Sequence, residues 1–82
     1  MDYPVRTVGQ LEPILRSFRK GKGLTQGELA LRTGVTQQAL SALESKPHRA
    51  SFERLLAYLA ALDVEVVLRE KNTEPQNNQG EW

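Results

Sequence analysis

The chain has 82 residues, eleven Lys/Arg against ten Asp/Glu, and no cysteine. That is one small domain, at a size where the core is marginal and association of copies adds stability. A disulfide framework and a thiolate metal site are excluded, and no apolar run approaches a membrane span or signal-peptide core, so a cytosolic protein is expected. The net charge of +1 hides a division. Residues 1–50 hold eight Lys/Arg and four Asp/Glu, whereas residues 51–82 hold three and six. A basic front half suits phosphate, and an acidic back half suits a different partner.

Leu11, Ile14, Leu15 and Phe18 recur at i, i+3, i+4 and i+7, the stripe of a first helix. Thr7 and Gln10 have capping-box spacing for its start, but Pro13 would remove a backbone bond from a helix beginning there, so that boundary stays open. Gly21 and Gly23 around Lys22 end the helix. Thr25 and Glu28 form a second capping box, which starts helix two at Gln26. Gly34 supplies a positive φ to stop it, and Val35 turns back toward the core. Thr36 caps a third helix opening with Gln37 and Gln38. Leu29, Ala30, Val35, Leu40 and Leu43 are the expected buried face of this pair. Two short helices joined by a tight Gly turn make a helix-turn-helix, whose second helix enters the DNA major groove with its N-terminal residues on base edges.

Residues 46–50 read as a loop, and Ser51 caps a fourth helix with Phe52, Leu55, Leu56, Leu59 and Leu62 as its buried stripe. The period then changes to a β-branched run over 64–69, in which Val64, Val66, Val67 and Leu68 are the expected dimerisation residues. A lone strand needs a ladder; the simplest partner is the same strand of a second copy, the alternative being the short segment from Tyr3 to Val8. The domain therefore spans 1–70, and the polar tail 71–82 is expected to be disordered, with the single tryptophan, Trp82, at its end.

The run Leu24 to Gln38, Leu-Thr-Gln-x-Glu-Leu-Ala-x-x-x-Gly-Val-Thr-Gln-Gln, resembles the Cro/C1 (Xre-like) helix-turn-helix family. The resemblance covers residues 7–63 and implies a mainly α fold: a compact lambda-repressor-like four-helix domain, here with one C-terminal strand pairing in a dimer. The strand, the Asn/Gln-rich tail and the terminal Glu-Trp are similar to HipB-type antitoxins within that family. That similarity implies a homodimer that represses its own operon on double-stranded, inverted-repeat DNA and neutralises a HipA-like serine/threonine kinase toxin, with Trp82 docking on the toxin. The alternative is a stand-alone Xre-type repressor, and a more distant one a helical adaptor that binds only protein.

Gln37 and Gln38 are the expected base readers, since a carboxamide can form a bidentate pair with adenine N6 and N7. Ser41 lies one turn on, and the Thr36 methyl can meet a thymine. Ala42 departs from phage repressors that place a polar base reader there. Thr25, Gln26, Lys46 and Arg49 are expected at the phosphate backbone, Lys20 or Lys22 less so; such contacts give affinity without sequence information. Gln26 is also implied by the family to brace Gln37. Arg19 and Glu44 match a mostly buried ion pair of the family, which implies structural bracing with the Arg near a phosphate. His48 has no ligand partner at metal spacing, and no serine has a base partner. No catalytic residue, metal or cofactor is therefore expected, and the chain is read as a non-enzyme.

Overall fold

A computed structural model describes residues 2–71, and within them four α-helices follow one another: α1 Leu11–Gly21, α2 Gln26–Thr33, α3 Gln37–Ser45 and α4 Phe52–Ala61. One-turn 3-10 helices, Val8–Gln10 and Pro47–Arg49, lead into α1 and link α3 to α4.

The open boundary at Pro13 resolves through the first of these turns. The Thr7 N–H donates to Gln10 Oε1 at 3.0 Å, so the Thr7/Gln10 cap closes the 3-10 turn and α1 proper begins at Leu11. Pro13 then sits in the first turn of α1, where N–H groups lack intrahelical partners and its missing donor does little harm.

Leu15, Leu29, Ala30, Leu40, Tyr58, Leu59 and Leu62 form the core, with Leu11, Phe18, Val35, Leu43 and Leu55 packed around it. Helices α2 and α3 thus contribute the face expected of them, and α1 does so through Leu11, Leu15 and Phe18, with the expected Ile14 only half-buried and outside the core cluster. Helix α4 does not present its whole expected stripe: Phe52 is 63% and Leu56 41% exposed, and Tyr58 is buried instead. The inward set Leu55, Tyr58, Leu59 and Leu62 is spaced i, i+3, i+4 and i+7, which leaves Phe52 and Leu56, one turn apart, on a flanking face.

Asp63 ends α4 in the left-handed region at φ 60°, a conformation that Asp tolerates better than most residues, and the Val64 N–H returns to the Leu59 carbonyl at 2.9 Å. Beyond it, no strand forms over 64–69 in the single chain. Strand structure is a property of a pair, and the segment from Tyr3 to Val8 does not supply the second member; Arg69 and Asp2 meet only at 4.0 Å through their side chains. Val66, Val67 and Leu68 are consequently exposed, Leu68 by 93%. No helix among the described residues is long and apolar enough to cross a membrane. Of the tail expected over 71–82, residues 72–82, Trp82 among them, lie outside the described residues.

Candidate nucleic-acid interface

Local chemistry fixes the angle between α2 and α3. Thr25 Oγ1 accepts from the Glu28 N–H at 3.1 Å, and Glu28 Oε1 accepts from the Thr25 N–H at 2.8 Å. These contacts lower the pKa of the Glu28 carboxyl, the backbone donor of Thr25 first among them. Gly34 adopts φ 74°, and the Val35 N–H closes onto the Ala30 carbonyl at 3.1 Å, a Schellman-type stop. Thr36 Oγ1 then accepts from the Ala39 N–H at 3.0 Å and starts α3. Both caps and the turn glycine lie where the sequence puts them.

At the resulting corner Thr36, Gln37 and Gln38 are exposed and Ser41 is half-buried, all near the N-terminus of α3. Thr25 is exposed at the head of α2, and Lys46 and Arg49 are exposed just after α3. Most of the expected base-facing and phosphate-facing groups are thus solvent-accessible, but two residues turn inward. Arg19 is 8% exposed, with its guanidinium on Glu44 rather than at the surface. Gln26 donates through Nε2 to Glu44 Oε1 at 3.0 Å, so the bracing of Gln37 by its amide that the family implied is not formed.

The fully buried Glu44 carboxylate joins all four helices. From α1, Arg19 Nε donates to Oε2 at 2.6 Å and Nη2 to Oε1 at 3.3 Å, while Nη1 reaches the Leu24 carbonyl at 2.9 Å. Gln26 represents α2. From α4, the Tyr58 hydroxyl donates to Oε2 at 2.6 Å, with the Leu15 carbonyl 3.1 Å away. Arg16 stands 3.7 Å from Oε1 and also pairs with Glu12 at 3.1 Å. Such saturation is what a charge needs when it leaves water. The ion pair was implied by the family resemblance; Tyr58 and Gln26 as its partners were not. Tyr58 could have been found from its helical spacing with Leu55 and Leu62, which puts a hydroxyl inside the core in need of an acceptor.

Burial drives the Glu44 pKa up, but the hydrogen bonds from Arg19, Tyr58 and Gln26 outweigh it and hold the carboxyl below its usual range. Arg19 is raised by its bond to Glu44, and Tyr58 is raised by burial and then by the same carboxylate. The linkage has a sign at each end. The contribution of Glu44 is complete above the ordinary carboxylate value of 4.5 and is lost as pH falls through its lower folded value. Tyr58 resists ionising in the fold, so its contribution is complete below 10.0 and declines as pH rises past that value. The urea midpoint should therefore be flat over roughly pH 5 to 9 and fall on both sides. Tyr58→Phe should flatten the alkaline fall; an unchanged alkaline limb would remove Tyr58 from this role.

His48 is exposed in the second 3-10 turn, and no group of three or more His, Cys, Asp or Glu among the described residues is placed to hold a metal.

A family model described as Helix-turn-helix matches residues 15–68. The antitoxin HipB of Escherichia coli O6:H1 (strain CFT073) is 31% identical over 68 residues, covering 82% of this chain and 72% of that protein. Among solved structures, HipB in a crystal form of a HipB–O1–O2 complex superposes with a TM-score of 0.77 at 25% identity, covering 84% of this chain and all of that one. A chain of a HipA–HipB–O2–O3 complex gives 0.78 at 24% identity, covering 87% of this chain and 100% of that one, a likeness of fold. The caps, the turn glycine, the buried Arg–Glu pair and these matches agree: the chain belongs to the Cro/C1-type helix-turn-helix family and, within it, to the HipB-type antitoxins.

Proposed function

We propose that this chain is a non-catalytic antitoxin that works in the cytoplasm as a homodimer, represses its own operon by reading an inverted repeat, and neutralises a HipA-like serine/threonine kinase toxin. The observation that carries the DNA half is the pair Gln37–Gln38, exposed at the start of a helix whose position is fixed by buried bonds to the other three. Two caps fix where α2 and α3 begin, and Lys46 and Arg49, exposed just after the C-terminal end of α3, carry positive charge suited to phosphate.

The dimer half rests on the C-terminal segment. Val66, Val67 and Leu68 are exposed in one chain and lack a ladder, and pairing with Val64 to Leu68 of a second copy about a two-fold axis would supply one. The two copies of α3 would then stand about 34 Å apart and reach successive major grooves. The toxin half rests on likeness to proteins whose solved complexes are named for HipA and HipB together, and on Trp82, the single tryptophan, as an aromatic anchor.

Gln37→Ala should cost roughly 1–3 kcal/mol at one operator position, whereas Lys46→Ala should weaken binding to all sequences alike and lower the salt slope by about one. Fluorescence anisotropy against single-base operator variants separates the two, and an unchanged affinity for Gln37→Ala would reject it as a base reader. For the toxin half, the full chain and a chain ending at Glu70 are each used to capture proteins from the source cell, and any retained kinase-like protein is identified by mass. Retention by the full chain and loss on truncation supports the antitoxin role; failure of both to retain it leaves a stand-alone repressor.

A further inference from the structure

Gly27 is the second residue of α2, a position that its backbone does not reserve for glycine. The positive φ angles among the described glycines belong to Gly23 and Gly34, and a helix forms more readily with alanine than with glycine. Gly9 and Gly21 border open space, so a side chain there would meet nothing within 4 Å. Gly27 differs from both: a Cβ added to it would lie 3.3 Å from Gln37 Oε1, 3.8 Å from Gln37 Cδ and 3.9 Å from Thr25 Oγ1. The Gln37 carboxamide thus lies against the bare Cα of Gly27, at the edge of a shallow depression that Leu31 and Thr36 also line.

We propose that Gly27 is a positioning residue for base recognition: its missing side chain is the seat that sets the direction of the Gln37 carboxamide. This rests on the reading of Gln37 as a base reader. A glutamine can make a bidentate pair with adenine only when its oxygen and nitrogen both face the base edge, and its side chain has three torsions to fix. Gln26, which the family pattern would have used for that purpose, is committed to Glu44. Contact with Gly27 supplies a replacement that involves no hydrogen bond. A methyl group at 3.3 Å is inside comfortable contact distance, and the glutamine tip is the part free to move, so Gly27→Ala displaces the carboxamide from this seat by a few tenths of an ångström while leaving the helix intact.

The test uses the full chain, with Gly27→Ala, Gln37→Ala and the double variant, on a duplex library randomised over about two helical turns. Selected sequences report base preference at each position, and thermal melting reports the fold. Gly27→Ala should melt no lower than the parent and should lose roughly tenfold in preference at the position that depends on Gln37, within what one bidentate pair supplies. In the Gln37→Ala background the same substitution should change nothing further. Preserved preference in Gly27→Ala, or a uniform weakening over all sequences that persists without Gln37, would overturn the positioning role while leaving Gln37 as a reader. A Gln37→Ala profile identical to the parent would overturn the base-reading assignment itself, and the role of Gly27 with it.

Discussion

Arg19→Met lowers the unfolding free energy by about 3–5 kcal/mol, because it strands the Glu44 carboxylate in the core. Domains of this kind have only about 5–15 kcal/mol in all, so the variant stands close to unfolding at ambient temperature. The loss exceeds that of an exposed ion pair because Glu44 is fully buried and cannot be rehydrated without opening the junction of all four helices. Arg16, 3.7 Å from Oε1, is too loosely placed and too exposed to replace the two bonds that Arg19 supplies. Arg19→Met combined with Glu44→Leu should recover much of the loss, since the stranded charge is then gone. Urea titrations of the parent and both variants decide this. A single-variant loss below about 1 kcal/mol, typical of surface pairs, would mean that Glu44 is not the electrostatic keystone argued for above.

Leu40→Ala is the second large effect, at about 2–5 kcal/mol. Leu40 is 2% exposed and anchors α3 in the core, one turn on from Gln37. Truncation removes apolar burial and leaves a cavity under the proposed recognition helix, so DNA affinity should fall even for the folded fraction, through looser placement of Gln37. Leu31→Ala is the matched control: the same chemical change at a residue 84% exposed should stay within about 0.5 kcal/mol. Equal losses at the two positions would show that α3 is not held by its apolar face.

The helix-turn-helix was legible because its information is local. A cap, a capping-box carboxylate and a turn glycine each act within four residues, and Thr25, Glu28, Gly34 and Thr36 all make the contacts their spacing implies. The Arg19–Glu44 pair, 25 residues apart, was accessible only through the family pattern. What the chain did not disclose depends on orientation in three dimensions. The inward direction of Gln26 follows from its reach to Glu44 on α3, the burial of Tyr58 and the exposure of Phe52 and Leu56 follow from how α4 lies across the other helices, and hydrophobic spacing alone allows a stripe wider than the one used. The run at 64–69 has strand composition, but its hydrogen bonds need a second strand that one chain does not provide. Gly27 was silent in the sequence because its meaning lies in a contact with a side chain ten positions away.

The most direct test of the central claim is equilibrium binding of the full chain, by anisotropy across a series of salt concentrations, to its best selected duplex and to a scrambled duplex of equal length. The account predicts an inverted repeat bound on the order of a thousandfold more tightly than the scrambled control, with both affinities falling as salt rises. Equal affinity for the two duplexes at every salt concentration would contradict it, and the exposed glutamines of α3 would then be a solvated face.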